Sequence, residues 1–237
     1  MALVEAVDAV GNIPDNAASR ADKKRYSEML SAHLSYKTAE GLRSVGFRDV
    51  KPLPGGPREK EFHGGLGPKK VDVSYSDERH GLLLAVSIKT ICFPPFGKNL
   101  KNRFGDLLTE AITLHLRFPY SVVCALFAFP SDADNDVTSS RRVSTFRKAM
   151  RLFSTVSGRR QYTDPGEKFE NVTLMLFQPK RREGSTVWVR LYDVDTQEAI
   201  AEADYFERLR AIYNLRNPHA PVGVEDTDEE EDEDTNE

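Results

Sequence analysis

Apolar and polar residues alternate from Val71 to Ser76 (VDVSYS), and an almost continuous apolar run follows from Leu82 to Ile91. The first pattern is the period-2 signature of a strand, and the second, rich in β-branched residues towards its end, is also strand-like. The polar residues SDERHG between them are turn formers, so two strands joined by a turn are predicted. Ser87 and Lys89 interrupt the second run. Being two apart, they point to one face. A lysine in a buried strand is costly unless paired, and Asp72 on the neighbouring strand is the available partner. On this pattern alone, the pair reads as an Asp–Lys contact at the end of a sheet.

The rest of the chain fits an alternation of helices and strands. Residues 1–18, with Gly11, Pro14, Asp15 and Asn16 as breakers, read as a flexible N-terminus. A helix is predicted from Ser19 or Asp22 to just before Gly46. Its stripe of Tyr26, Met29, Leu30, His33 and Leu34 continues through Lys37, Glu40 and Gly41, which puts Glu40 inward or at the border of the buried face. Phe47 to Val50 reads as a short strand. Residues 52–68, PLPGGPREKEFHGGLGP, exclude a helix or a central strand and suit a surface connector or a mobile loop. A second long helix spans Leu100 to Phe118, stopped by Pro119. Its core stripe is Leu100, Phe104, Leu107, Leu108, Ala111, Leu114 and Phe118, beside a polar stripe of Arg103, Asp106, Glu110 and Arg117. Tyr120 to Phe129 reads as a buried strand, Val137 to Val156 as a basic helix capped by SDADND, Phe169 to Phe177 and Thr186 to Tyr192 as further strands, and Ala199 to Leu215 as the last helix.

Composition changes this picture in two ways. The 237 residues carry a formal charge of −4, but Glu225 to Glu237 holds ten acids and no bases, so the rest of the chain carries +6. Residues 218–237 therefore read as a disordered acidic tail behind a mildly basic domain spanning 19–217, which is compatible with nucleic acid as a partner. Cys92 and Cys124 are the only cysteines. Both sit in apolar settings and read as reduced core residues of a cytoplasmic protein. No apolar stretch is long enough to span a bilayer, so no membrane association is expected.

A carboxylate on one strand, followed by a lysine two residues after a polar position on the next, is the skeleton of a metal-dependent phosphodiesterase site. Val71-Asp72 followed by Ser87-Ile88-Lys89 resembles the PD-(D/E)xK superfamily of nucleases, which includes many restriction endonucleases. Val71 stands where proline is usual, and Ser87 where the second acidic ligand is usual. Ser87-Ile88-Lys89 with Glu110 on the following helix resembles the branch of the superfamily whose second acid has moved from strand to helix. Glu40, on the first helix, is the alternative source of that acid. The resemblance implies a restriction-endonuclease-like α/β fold: three layers, with a central mixed β-sheet flanked by helices. It further implies Asp72 and Glu110 (or Glu40), with the carbonyl of Ile88, as ligands of Mg2+ or Mn2+. Lys89 would be the residue that orients water and stabilises the phosphate, and Ser87 a neutral neighbour.

The implied activity is hydrolysis of phosphodiester bonds by a DNA endonuclease, in a setting such as restriction or phage defence and compatible with a homodimer. Lys69, Lys70, Arg103, Arg141, Arg142, Arg147 and Lys148 are the candidate DNA contacts. Because the strand acid is missing, a catalytically inactive nuclease-like fold that binds DNA or a protein is the rival reading. A small-molecule enzyme on the same scaffold is a third, without a motif of its own.

Overall fold

The computed structural model describes residues 2–56, 59–138 and 142–223. Among the described residues, five α-helices and eight strands follow one another in the order α1 (Ala2–Ala9), α2 (Arg20–Ser44), β1 (Lys60–Gly64), β2 (Gly67–Val71), β3 (Val73–Asp77), β4 (Gly81–Thr90), α3 (Phe96–Arg117), β5 (Val122–Pro130), α4 (Thr145–Ser154), β6 (Asn171–Gln178), β7 (Trp188–Asp193), β8 (Ala199–Ile200) and α5 (Glu202–Arg216). Strands β3 to β8 form one sheet in sequence order, and β1 and β2 form a separate ribbon. The β4–β5 and β5–β6 pairs are parallel and the other pairs of the large sheet antiparallel. This is an α/β fold with a mixed six-stranded sheet.

The sheet divides two cores. Leu84, Val86 and Ile88 of β4 face a core shared with α1, α2 and α5, whereas Ala85 faces the core shared with α3, α4 and the β1–β2 ribbon. Ser87 and Lys89 have the parity of Ala85, so β4 presents them to the α3 side. Central β5 is buried at every position, as expected of a parallel strand covered on both faces.

Several expectations are corrected. The N-terminal segment is not loose: α1 buries Leu3, Ala6 and Val7, an i, i+3, i+4 stripe, and the Glu202 carboxylate accepts from the amides of Ala2 (2.7 Å) and Leu3 (3.1 Å). The breakers Gly11 and Pro14 end that helix and do not prevent it. Residues 47–50 form no strand. Phe47 is buried edge-on against Tyr75 and Tyr213, and only Lys51 bridges to Ser74. The Gly- and Pro-rich segment does supply a strand, β1, but in the ribbon and not in the central sheet.

The basic helix begins at Thr145, not Val137. Ser144 caps it by accepting from the Arg147 amide at 3.2 Å, and Asp136 accepts from the Thr145 amide at 2.7 Å. Those two caps fix a later start. At the other end the domain runs on to residue 223: Val222 is buried and pairs with the Asn214 side chain in both directions. The acidic residues 224–237 lie outside the described residues. Among the described residues, no helix is long and apolar enough to cross a membrane.

Candidate functional site

The alternating stretch around Val71 is two strands, not one, and Asp72 is the residue between them. β2 ends at Val71 in the ribbon, and β3 begins at Val73 in the main sheet. The chain changes sheets at Asp72, which frees this carboxylate from a strand face and turns it towards β4. There its Oδ2 accepts from the Ile88 amide at 2.8 Å and lies 3.6 Å from Lys89 Nζ.

Glu110 differs from the rest of its predicted polar stripe. Its side chain is 1 % exposed, whereas Arg103 and Asp106 pair with each other in solvent. Its Oε1 accepts from the Ser87 hydroxyl. Its Oε2 lies 3.0 Å from Lys89 Nζ and 2.9 Å from Lys69 Nζ. Three elements thus meet at one cluster: β4 brings Ser87 and Lys89, α3 brings Glu110, and β2 brings Lys69. The ribbon docks closely enough for this because it is glycine-rich where it touches α3. A Cβ on Gly64 would lie 2.4 Å from Thr113 Cγ2, and the Gly65 amide donates to the Thr113 carbonyl at 2.8 Å.

The two carboxylates are driven in opposite directions. Burial, with the Glu110 charge adding to it, raises Asp72 above its ordinary value, against the pull of Lys89 and of the Ile88 amide. Burial also opposes the charge on Glu110, but Lys89, Lys69 and Ser87 outweigh it and hold that carboxyl below its ordinary value. For Lys89, burial favours the neutral amine, yet Glu110 and Asp72 prevail and keep the ammonium. Two acidic side chains therefore face two lysines, Asp72 beside Lys89 and Glu110 beside Lys89 and Lys69.

Asp72, Ile88 and Lys89 lie on the floor of a cleft of about 750 Å3, with Glu110 directly behind Lys89. The cleft opens at the carboxyl end of β4, between one face of α2 and one face of α3, the usual place for ligands in α/β sheets. Of the candidate site residues, Asp72, Lys89, Ser87 and Glu110 come together. Glu40 does not: it faces solvent, 58 % exposed, and pairs with Lys37 at 2.9 Å. The stripe of α2 that is buried runs through Leu34, Thr38, Ala39 and Leu42 and leaves Glu40 outside it.

Among the candidate DNA contacts, Arg103 lines the cleft and Lys69 touches Glu110, while Lys70 alternates to the exposed face of the ribbon. Arg142, Arg147 and Lys148 are exposed but do not line the cleft, and Arg141 lies outside the described residues. Arg20, Lys23 and Lys24 line it unforeseen. Their signal was the polar face of α2, where basic residues recur at helical spacing. Among the described residues, no group of three or more His, Cys, Asp or Glu side chains is placed to hold a metal ion. No protein-family model matches the chain, and neither a curated protein nor a solved structure is significantly similar to it.

Proposed function

We propose that the protein is a metal-dependent DNA endonuclease hydrolysing phosphodiester bonds at Asp72, Glu110 and Lys89, on a restriction-endonuclease-like version of the α/β fold. The observation that carries this reading is the meeting of Asp72 from the β2–β3 junction, Lys89 from β4 and Glu110 from α3, with Asp72 and Lys89 lining a basic cleft. The donor set suits a hard divalent ion, which takes one or two carboxylates and keeps several waters. Asp72, Glu110 and the Ile88 carbonyl would hold Mg2+ or Mn2+, which when bound polarises a phosphate and acidifies a water.

The chain's own residues supply the rest. The Ile88 amide fixes the orientation of Asp72 before substrate arrives. Lys89, kept charged by both acids, is positioned to stabilise negative charge gathering on phosphate oxygens. Ser87 orients Glu110 by donating to it.

Cleavage of DNA in Mg2+, in Mn2+ and in EDTA tests the reading, with wild type beside Asp72→Ala and Lys89→Ala. Cleavage in either metal, none in EDTA and none by the folded variants is expected. Wild-type rates in both variants would refute it. One observation favours the second reading, a nuclease-like fold that binds DNA without cutting it: Lys69 and Lys89 already occupy the space beside both acids. A gel shift without cleavage in any metal would select it.

A further inference from the structure

The walls of the cleft are two helix faces. On α2 they include Arg20, Lys23, Lys24 and Ser27, at i, i+3, i+4 and i+7, with Glu28 and Ser31 beyond, and on α3 Asn99, Asn102 and Arg103, at i, i+3 and i+4, with Asp106 beyond. Phe93 also lines the cleft. Its ring is half-buried and held edge-on by Tyr26, with centroids 5.9 Å apart. Lys23 is already committed, donating to the Asn16 carbonyl and lying 5.8 Å from the Phe93 ring. Among the described residues, Lys24 pairs with Glu28 at 3.6 Å and Arg103 with Asp106 at 3.1 Å, all four side chains being solvent-exposed. Such exposed pairs are weak and yield readily to a phosphate.

We propose that this cleft takes a single, unpaired strand of DNA, with phosphates on Arg20, Lys24 and Arg103 and a base stacked on Phe93. The inference rests on the nuclease reading above and names its substrate class. Three features carry it. The volume, about 750 Å3, is that of a site for a drug-sized ligand, which admits about one or two nucleotides. The cleft lies between a face of α2 and a face of α3, which flank a bound strand on both sides. A basic groove combined with an aromatic platform is the chemistry that holds unpaired bases, since every base has a π-face to stack. Asn99 and Asn102 line the same cleft, and Asn99 donates to the Phe93 carbonyl at 3.2 Å.

Fluorescence anisotropy in EDTA, where no cleavage intervenes, tests the proposal on the full-length protein. A short unpaired oligonucleotide is compared with a closed-end duplex of the same composition at equal salt. The single strand is expected to bind at least about tenfold more tightly. Phe93→Leu, which keeps an apolar contact with Tyr26 but removes the ring, should weaken it by about tenfold, and Phe93→Tyr should restore it. The Arg20→Ala, Lys24→Ala double variant should flatten the salt dependence by about 0.7 for each phosphate it no longer neutralises. Equal or tighter duplex binding, or a neutral Phe93→Leu in a protein with native circular dichroism, would overturn the inference. Equal cleavage of duplex and single strand in Mg2+, abolished by Asp72→Ala, would overturn it while leaving the nuclease reading intact. Single-strand binding without cleavage in any metal would do the reverse.

Discussion

Replacing Lys69 with methionine removes one ammonium from Glu110 while keeping an apolar stem of similar length. In wild type, Lys69 Nζ lies 2.9 Å from Glu110 Oε2, and the two side chains are 30 % and 1 % exposed. Breaking a fully buried pair costs about 3–5 kcal/mol, and breaking an exposed one about 0.2–1 kcal/mol. This pair falls between them, because Lys69 is partly solvated and Glu110 keeps Lys89 and Ser87. A loss of about 1–2 kcal/mol is therefore expected in EDTA. A divalent ion held by Glu110 would have to displace Lys69 in wild type but not in the variant. The same 1–2 kcal/mol should then reappear as Mg2+ affinity, tighter in Lys69→Met by about 5–30-fold. Urea denaturation with and without Mg2+ reads both quantities, since an ion that binds only the folded state adds stability by mass action. The gap between wild type and variant should narrow as Mg2+ rises. An equal response of both proteins to Mg2+, or none in either, would refute competition between Lys69 and a metal at Glu110.

Two further predictions follow from the opposed carboxylates. Asp72 has a folded pKa above its ordinary 3.8, so any stability its protonation lends is present below that value and lost as pH rises through the folded one. Asp72→Asn should thus melt no lower than wild type at neutral pH while losing cleavage, and a drop of several degrees would contradict this. Glu110 is the opposite case, with a folded pKa below its ordinary 4.5. Its stability is present above that value and is lost as pH falls through the lower folded one. Acid titration of stability should therefore be shallower in Glu110→Gln than in wild type, and parallel curves would show that Glu110 is not held ionised by its two lysines.

The sheet and the β4–α3–β5 unit were legible because period 2 and period 3.6 are strong there and the polar exceptions are few, whereas Glu110, grouped by periodicity with a polar stripe, was singled out only by the family resemblance. Asp72 was found, but not its situation. A strand that changes sheets at one residue keeps its alternation, so nothing in VDVSYS marks the break between β2 and β3. Glu40 was misplaced because α2 carries polar residues such as Ser35 and Thr38 on its buried face, which blurs the stripe that would have shown it outside. α1 was missed because an eight-residue helix has little signal of its own, and its cap, Glu202, is distant in sequence. Lys69 carried no mark distinguishing it from Lys70. Only the docking of the ribbon on α3 selects one of the two for the site.

Moving the charge between two positions tests most directly whether the cluster is a phosphodiesterase centre. Ser87 is fully buried and in hydrogen-bond contact with Glu110, so Ser87→Glu combined with Glu110→Ala roughly exchanges the two side chains across one gap. The measurement is DNA cleavage in Mg2+ by Glu110→Ala, by the double variant and by wild type, each confirmed folded. Glu110→Ala should lose most activity, and the double variant should recover a measurable part of it, short of wild type because about an ångström of misplacement costs on the order of a hundredfold. Wild-type cleavage by Glu110→Ala, or a folded double variant no more active than Glu110→Ala alone, would contradict the assignment.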